Sequence, residues 1–415
     1  MLQNLSPDLA SPAAQRLFST GKKRILTLDG GGVRGIVTIA FLKQMEAKLR
    51  DLTGQADLVL ADVFDMVAGT SVGSMLATMI ALGMDVGEIE RVFREIAPKI
   101  FDGRMTLLGQ RRFNAVPLVN AVRSIVKNES LGSEKLKTGL CIIAKRVDTG
   151  SPWVLTNNPK MPFWNDHAEY AGNRHYKLES LIRASTAAPF LFSPTEITIR
   201  TNDEGKDEKG LFIDGGISPH NNPSLQMLMQ SALPCYKLNW KLSPDALLMI
   251  SIGTGQFRTR ITKRKPILQG MKARLAKLLD DNLAEDIEEA AFAAQAMSGL
   301  ISDSSLYALK MMQSLSHPRF SWRINAEVEA LEGEFLLATL HDAGKDTSRG
   351  LLRFQRYDLP LDMGLVKPEY DVDAKKLQRM ELFALDDPSK LNELYRLGTE
   401  AAIKQVSAED FEGFL

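Results

Sequence analysis

Residues 24–42 read RILTLDGGGVRGIVTIAFL, and this stretch joins three kinds of local sequence. The mainly apolar run at residues 24–29 is typical of a short buried strand, and a run of glycines follows it. Beyond Gly35, apolar residues recur at helical spacing at Ile36, Ile39, Ala40, Leu42, Met45 and Leu49. The stretch therefore predicts a strand, a glycine loop and a helix.

The same pattern occurs again at residues 63–82. A strand-like run at residues 63–68 leads into Gly69-Thr70-Ser71-Val72-Gly73, and apolar residues at helical spacing follow. Further strands are predicted at residues 139–146, 153–157, 211–214 and 246–253, and helices at residues 87–96, 116–126 and 223–230. Short apolar runs that alternate with helices predict an α/β fold, in which a mostly parallel central sheet is flanked by helices on both faces.

The pattern along the chain predicts three parts. Residues 1–21 are mostly small or polar and are expected to form a flexible lead-in, and residues 22–256 carry the α/β pattern. Residues 257–415 are expected to form a mainly helical C-terminal extension, with one strand pair near residues 321–326 and 352–358. We expect the extension to pack on the α/β domain or to regulate it. The charged residues 201–210 are expected to form an exposed loop.

The composition of the 415 residues is that of a globular protein, with 44% hydrophobic and 25% charged residues. The 51 basic and 51 acidic side chains cancel, so we expect no binding of a nucleic-acid duplex through overall charge. Cys141 and Cys235 have no partner motif for a zinc site or a disulfide framework, which fits a reducing compartment. Without an apolar span or a secretory signal, we expect a cytoplasmic protein that meets membranes only at their surface.

Ser71 lies in the G-x-S-x-G sequence between a predicted strand and a predicted helix. The two glycines allow a sharp turn, which would expose a strained serine at the carboxyl end of the strand. The positive end of the following helix would favour an oxyanion there. The arrangement predicts a nucleophile, although a plain turn built from small residues is the alternative.

The loop from Gly30 to Gly35 has two interpretations. It matches the G-x-G-x-x-G fingerprint of dinucleotide-binding proteins, which requires an acidic residue near the end of a second strand. Asp51 and Asp57 have about the right spacing, but no strand-like run precedes them. The second interpretation is an array of backbone N–H groups that holds an anionic oxygen during acyl transfer.

Asp214 follows an apolar run and precedes Gly215 and Gly216. A carboxylate at the end of a strand could face a serine on a neighbouring strand, but Asp and Gly are also ordinary turn residues. The five histidines are His167, His175, His220, His317 and His341. His317 or His341 would complete a Ser-Asp-His order, but neither lies in a distinctive loop. A second possibility is that Asp214 itself takes the proton from Ser71.

The chain resembles the patatin-like phospholipase family, whose motifs are, in order along the chain, D-G-G-G-x-R-G, G-x-S-x-G and D-G-G/A. Here these motifs begin at Asp29, Gly69 and Asp214. Three further segments also resemble the family pattern, at residues 184–189, 221–223 and 251–255. The resemblance covers residues 23–256 and leaves residues 257–415 unexplained.

The resemblance implies a three-layer patatin-like fold and a Ser-Asp dyad that cleaves acyl esters of lipids without a histidine, a metal or a cofactor. Ser71 would be the nucleophile and Asp214 the base. The backbone amides of Gly30, Gly31 and Gly32 would form the oxyanion hole. Arg34 would neutralise a phosphate or brace the loop. The remaining motif residues are Gly35, Gly69, Gly73, Gly215 and Gly216.

Residues 256–279 carry eight basic side chains and no acidic one, and residues 280–289 are acidic. The basic segment has three interpretations: a solvated face paired with the acidic run, a contact with anionic lipid headgroups, or a site for a small anionic regulator. Some bacterial members of the family are immune effectors activated by cyclic nucleotides.

From its motifs and this resemblance, the chain as a whole is expected to be a lipid acyl hydrolase, with a dinucleotide-binding protein and a non-catalytic lipid-binding protein as the alternatives.

Overall fold

The computed structural model describes residues 7–102, 113–167, 169–189, 191–201, 204–255, 281–317, 350–359, 361 and 385–415. Within these ranges, one mixed sheet of eight strands forms the centre of the protein. The strands are β1 (Lys23–Leu28), β2 (Met66–Thr70), β3 (Gly139–Arg146), β4 (Pro152–Thr156), β5 (Thr195–Thr201), β6 (Asp207–Asp214), β7 (Leu247–Ile252) and β8 (Arg353–Tyr357).

The strand order is β5-β6-β3-β2-β1-β7-β8, with β4 paired to β3. The pairs β3–β2, β2–β1, β1–β7 and β7–β8 are parallel, whereas β4, β5 and β6 are antiparallel to their neighbours. In parallel strands, the carboxyl ends meet at one edge of the sheet. The loops that follow β1, β2 and β7 therefore lie side by side, and these loops carry the predicted glycine motifs.

Ten α-helices lie among the described residues. They are α1 (Pro12–Phe18), α2 (Gly35–Thr53), α3 (Leu60–Val63), α4 (Val72–Ala81), α5 (Val86–Ile100), α6 (Ala115–Val126), α7 (Leu178–Ser185), α8 (Ser224–Ala232), α9 (Asp281–Leu315) and α10 (Leu391–Gln405). Neighbouring side chains of a strand point to opposite faces of the sheet. Leu26 of β1 accordingly packs in a core with α2, α4 and α5, whereas Ile25 packs in a second core with α1, α8 and α9.

The two cores confirm the predicted α/β fold, with a central sheet that helices cover on both faces. The strands at residues 139–146 and 246–253 occur within one residue of their predicted bounds. The strand predicted at residues 63–68 begins later, because Val63 ends α3 and β2 starts at Met66. The predicted loop at residues 201–210 instead contains the start of β6, which pairs with the unpredicted strand β5.

The two ends of the chain pack against the central sheet and its helices. Ser11 caps helix α1, and Leu17 in this helix is fully buried against the sheet. At the other end, β8 pairs with β7 in parallel, and α10 packs along α2. Strand β8 thus adds an edge strand to the central sheet. The predicted strand at residues 321–326 and the basic segment at residues 256–279 lie outside the described residues.

In the part of the chain that the structure describes, no helix is long and apolar enough to cross a bilayer.

Candidate active site

Ser71 occupies a sharp turn between β2 and α4. Its backbone φ is +54° and ψ is −127°, a conformation that is costly for a residue with a side chain. A Cβ atom at Gly69 would lie 2.0 Å from the carbonyl oxygen of Gly73, and one at Gly73 would lie 2.3 Å from the carbonyl oxygen of Leu28. The close packing of three backbone segments therefore requires glycine at both positions.

The backbone around Ser71 is fixed by two neighbouring serines. The N–H of Ser71 donates to Ser185 Oγ at 2.8 Å, and Ser185 Oγ donates to the carbonyl oxygen of Ile143 at 2.6 Å. Ser74 Oγ donates to the carbonyl oxygen of Ser71 at 2.6 Å. Because the amide and the carbonyl of Ser71 are both hydrogen bonded, its backbone is fixed and its side chain projects from a defined position at the end of β2.

The side chains of Ser71 and Asp214 are hydrogen bonded to each other. Ser71 Oγ donates to Asp214 Oδ2 at 2.6 Å, and the N–H of Gly216 donates to Asp214 Oδ1 at 2.7 Å. Asp214 is only 4% exposed, and its burial raises the pKa of the carboxyl group to about 7, although both hydrogen bonds oppose the rise. Gly215 allows this turn to lie on β3, because a Cβ atom there would be 2.2 Å from the carbonyl oxygen of Ile143.

Among the described residues, no histidine side chain is hydrogen bonded to Ser71 or Asp214. His220 takes part through its backbone, where its carbonyl oxygen accepts from Thr70 Oγ1 at 2.7 Å. Burial lowers the pKa of the His220 side chain, which disfavours its charged form. The amide of His317 pairs with Leu352 beyond the end of α9. His341 lies outside the described residues.

The glycine loop lies directly beside Ser71, since a Cβ atom at Gly30 would be 3.0 Å from Ser71 Cβ. The N–H of Gly30 donates to the carbonyl oxygen of Asn221 at 3.2 Å, and that of Val33 donates to Leu385 at 2.8 Å. Within the described residues, the amides of Gly31 and Gly32 donate to no acceptor. Two of the three predicted oxyanion donors are therefore available to a substrate, and the third is engaged by the protein.

The second strand that dinucleotide binding would require does not follow this loop. The helix α2 continues to Thr53, and the next strand, β2, begins only at Met66. Asp51 lies within α2, and Asp57 precedes the short helix α3. Neither carboxylate is at the end of a strand beside the loop, where a ribose hydroxyl would require it. The tight contact of Gly35 with Val72 instead joins the start of α2 to the start of α4.

A cluster of buried charges lies under the glycine loop. Asp29 and Arg34 belong to the predicted motif, whereas Arg356 and Asp358 come from the C-terminal strand β8 and its end. Burial raises the pKa of Asp29 to about 6 and lowers the pKa of Arg34 to about 10. Arg34 Nη1 donates to the carbonyl oxygen of Gly255 at 3.4 Å, and this contact joins the glycine loop to the segment that follows β7. The R-x-D spacing on a predicted strand was the only local signal for Arg356 and Asp358.

A cavity of about 490 Å³ opens above these groups. Ser71, Asp214 and the three glycines line it. Its walls are mainly apolar and include Met75, Phe93, Ile96, Ile100, Leu118 and Phe192. Helix α9 contributes Met297, Ile301 and Leu306 to the wall, and its Ser305 Oγ accepts from Asn221 Nδ2 at 3.2 Å.

The described residues contain no cluster of three or more His, Cys, Asp or Glu side chains suited to hold a metal ion.

Comparison with known proteins identifies relatives of this chain. Residues 26–228 match the family model described as Patatin-like phospholipase. A cGAMP-activated phospholipase of Escherichia coli is 30% identical over 237 residues, which are 56% of this chain and 62% of the relative. A protein of the same description from Vibrio cholerae is 32% identical over 213 residues, which are 48% of this chain and 55% of the relative.

Patatin-T5 of Solanum tuberosum is 26% identical over 243 residues, 56% of this chain and 60% of the relative. The chain thus spans less than two thirds of the length of each of these three relatives. The family model covers the glycine loop, the Ser71 turn and Asp214, and it ends before β7 and β8. Residues 26–228 of this chain are therefore a domain of the patatin-like phospholipase family.

Proposed function

We propose that this chain is a lipid acyl hydrolase of the phospholipase A type, which cleaves carboxylic esters of phospholipids or related glycerolipids. The observation that carries the proposal is the hydrogen bond of 2.6 Å between Ser71 and Asp214, two residues that line a mainly apolar cavity. An apolar wall suits an acyl chain, whereas these two polar residues suit the ester group. The family membership of residues 26–228 supports the same class of substrate.

In the first half of the reaction, Ser71 Oγ attacks the ester carbonyl carbon while its proton moves to Asp214 Oδ2. The carbonyl oxygen becomes an oxyanion that accepts hydrogen bonds from the amides of Gly31 and Gly32. Collapse of this intermediate breaks the bond to the alcohol, which takes the proton from Asp214. The products are the free lysolipid or alcohol and an acyl group on Ser71.

In the second half, Asp214 takes a proton from water as the water oxygen attacks the acyl carbonyl carbon. The same two amides stabilise the second oxyanion, and Ser71 leaves with the proton that Asp214 held. A free fatty acid is released and the enzyme is restored. A solvated carboxylate, with a pKa of about 3.9, would be a poor base for either step. Burial raises the pKa of Asp214 to about 7, which brings its basicity close to that needed at neutral pH.

The experiment is labelling with a fluorophosphonate probe, combined with analysis of lipids released from a membrane extract. The probe is expected to label Ser71 in stoichiometric amounts and to abolish ester hydrolysis. The Ser71→Ala variant should release no fatty acid, and Ser124→Ala, at an exposed position on α6, is the control for labelling of another serine. Stoichiometric labelling elsewhere, or full hydrolysis by Ser71→Ala, would contradict the proposal. Lipid binding without hydrolysis by the wild type would favour the non-catalytic alternative.

We further propose that the activity is regulated by a small anionic ligand and serves to degrade membranes. Two relatives are described as cGAMP-activated phospholipases, and this description supports regulation of the same kind here. The test measures fatty-acid release with and without cGAMP, at matched ionic strength. Equal rates over a range of cGAMP concentrations would contradict activation by this ligand.

A further inference from the structure

Arg356 on β8 contacts the residue that immediately precedes the glycine loop. Its Nη1 donates to Asp29 Oδ1 at 3.0 Å, and its Nη2 donates to Asp29 Oδ2 at 2.6 Å. The two side chains are only 7% and 6% exposed. A planar guanidinium that binds both oxygens of a carboxylate fixes the orientation of that carboxylate, as a single hydrogen bond does not.

The contacts of Arg356 extend to the other side of the loop. Its Nη2 also donates to Asp358 Oδ2 at 2.7 Å, and Asp358 Oδ1 accepts from the N–H of Gly255 at 2.9 Å. The neighbouring Thr254 donates through Oγ1 to the carbonyl oxygen of Gly30 at 3.1 Å. Arg356 is thus connected to Asp29 directly and to Gly30 through the segment that follows β7.

This network can affect catalysis because the two amides available to a substrate, those of Gly31 and Gly32, follow Asp29 and Gly30 directly in the chain. The carbonyl of Gly30 and the N–H of Gly31 belong to one peptide group, so the bond from Thr254 also sets the direction of that N–H. A donor stabilises an oxyanion only when it points at the position the oxygen will occupy. A displacement of about 1 Å in such a site can reduce the rate about 10²-fold.

A purely stabilising role does not explain the choice of residues. A buried ion pair loses much of its attraction to desolvation, so apolar replacements of such pairs are often neutral for stability. The pair instead fixes the orientation of Asp29, where the chain leaves β1 and enters the glycine loop. The charged groups that face Asp29 are Arg356 and Asp358 from the C-terminal region and Arg34 from the loop itself.

We propose that Arg356 is a positioning residue for the hydrolysis, which holds Asp29 and thereby aims the amides of Gly31 and Gly32 at the substrate oxygen. The inference rests on the proposed acyl-hydrolase function. It assigns a role in the active site to a residue outside the part of the chain that matches the family model.

The test compares Arg356→Lys and Arg356→Met with the wild type in hydrolysis of a soluble ester. Arg356→Met is expected to lower kcat by about 10 to 10²-fold with little change in KM, because the substrate still binds while the amides lose their direction. Arg356→Lys keeps the charge but cannot bind both oxygens, so it should recover only part of kcat. Arg353→Met, on the same strand, is the matched control and should leave kcat unchanged.

The pH profile separates positioning from stability. Without the guanidinium, Asp29 remains buried beside Asp358, so it will bind a proton at higher pH and lose its attraction to Arg34 on the loop. The acid limb of kcat in Arg356→Met should therefore move to higher pH, a shift that a loss of folded protein does not produce. If Arg356→Met does not fold, Arg356→Gln, which also lacks the charge, replaces it in both measurements.

Three outcomes decide the inference. A reduced kcat with the shifted pH limb supports it. Full kcat in folded Arg356→Lys and Arg356→Met, with an active wild type, overturns this inference and leaves the proposed function intact. A wild type without hydrolysis that depends on Ser71 overturns both.

Discussion

Ser71 Oγ lies 2.6 Å from Asp214 Oδ2, although 143 residues separate the two positions in the chain. The serine lies at the end of β2 and the aspartate at the end of β6, and β3 lies between these strands. The second oxygen of Asp214 is held by the N–H of Gly216. The carboxylate therefore presents one fixed oxygen to the serine, and this geometry leads to the first two predictions.

The Asp214→Asn variant should lose activity by about 10² to 10⁴-fold, the usual contribution of a positioned base. In the wild type, kcat should rise with pH through about 7, because only the ionised form of Asp214 accepts the serine proton and its pKa is about 7. The measurement is kcat for a soluble ester between pH 5 and 9. The variants His220→Ala and His317→Ala are controls, and a severe loss in a folded histidine variant would restore a catalytic triad.

The same pKa predicts an effect on stability. Asp214 has a pKa of about 7 in the folded protein, above its ordinary value of 3.8, so the folded state holds the proton more tightly. This contribution to stability is fully present below pH 3.8 and is lost as the pH rises to about 7. Asp214→Asn cannot ionise, so its Tm should rise relative to that of the wild type as the pH increases from about 4 to 7. A constant difference in Tm over that range would contradict the raised pKa.

Substitutions in the glycine loop should affect the rate more than the fold. A Cβ atom at Gly31 would lie 2.1 Å from Thr254 Oγ1, and one at Gly32 would lie 2.1 Å from the carbonyl oxygen of Leu385. Gly31→Ala and Gly32→Ala should lower kcat by about 10²-fold or more, because the displaced amides no longer reach the oxyanion. Gly54→Ala is the control, since Gly54, like Gly32, has a positive φ but has no neighbour within 4 Å of a Cβ atom. Equal kcat in all three variants would contradict the assignment.

The wall formed by α9 should select for the length of the acyl chain. Ile301 lines the cavity, whereas its neighbour Leu300 is 67% exposed and does not line it. Ile301→Trp should fill part of the cavity and lower kcat/KM for long-chain esters by about 10-fold, within the range reported for changes in a hydrophobic pocket. Short-chain esters should be hydrolysed at the normal rate. Leu300→Trp should change neither, and a matching loss in that variant would indicate an effect on the fold.

The basic segment at residues 256–279 remains a prediction from sequence alone. If it contacts anionic lipid headgroups, charge reversal at Lys263, Arg264 and Lys265 should weaken binding to anionic vesicles, since each basic residue near the surface contributes about 1 kcal/mol. Co-sedimentation with neutral and anionic vesicles, at low and high salt, measures the effect. Hydrolysis of a soluble ester should survive the change. Unchanged vesicle binding would instead favour a solvated face or a regulator site.

Local sequence was sufficient for the parts of the site that depend on backbone conformation. The turn at Ser71 requires glycine on both sides because backbone atoms approach within contact distance, and such a requirement is visible in a short motif. The apolar runs of β1, β3 and β7 were recognisable because strands buried on both faces are mostly apolar. The resemblance to the family then paired Ser71 with Asp214 before any distance was known.

Tertiary structure decided which groups surround that pair. The register of β8 against β7 places Arg356 opposite Ser251, and the pairing of β7 with β1 brings this position to Asp29. The use of the Gly30 amide by Asn221, the burial of α1 and the place of α9 in the cavity wall are contacts of the same kind. They depend on which strands become neighbours and on their register, and no spacing within a local stretch of sequence encodes either.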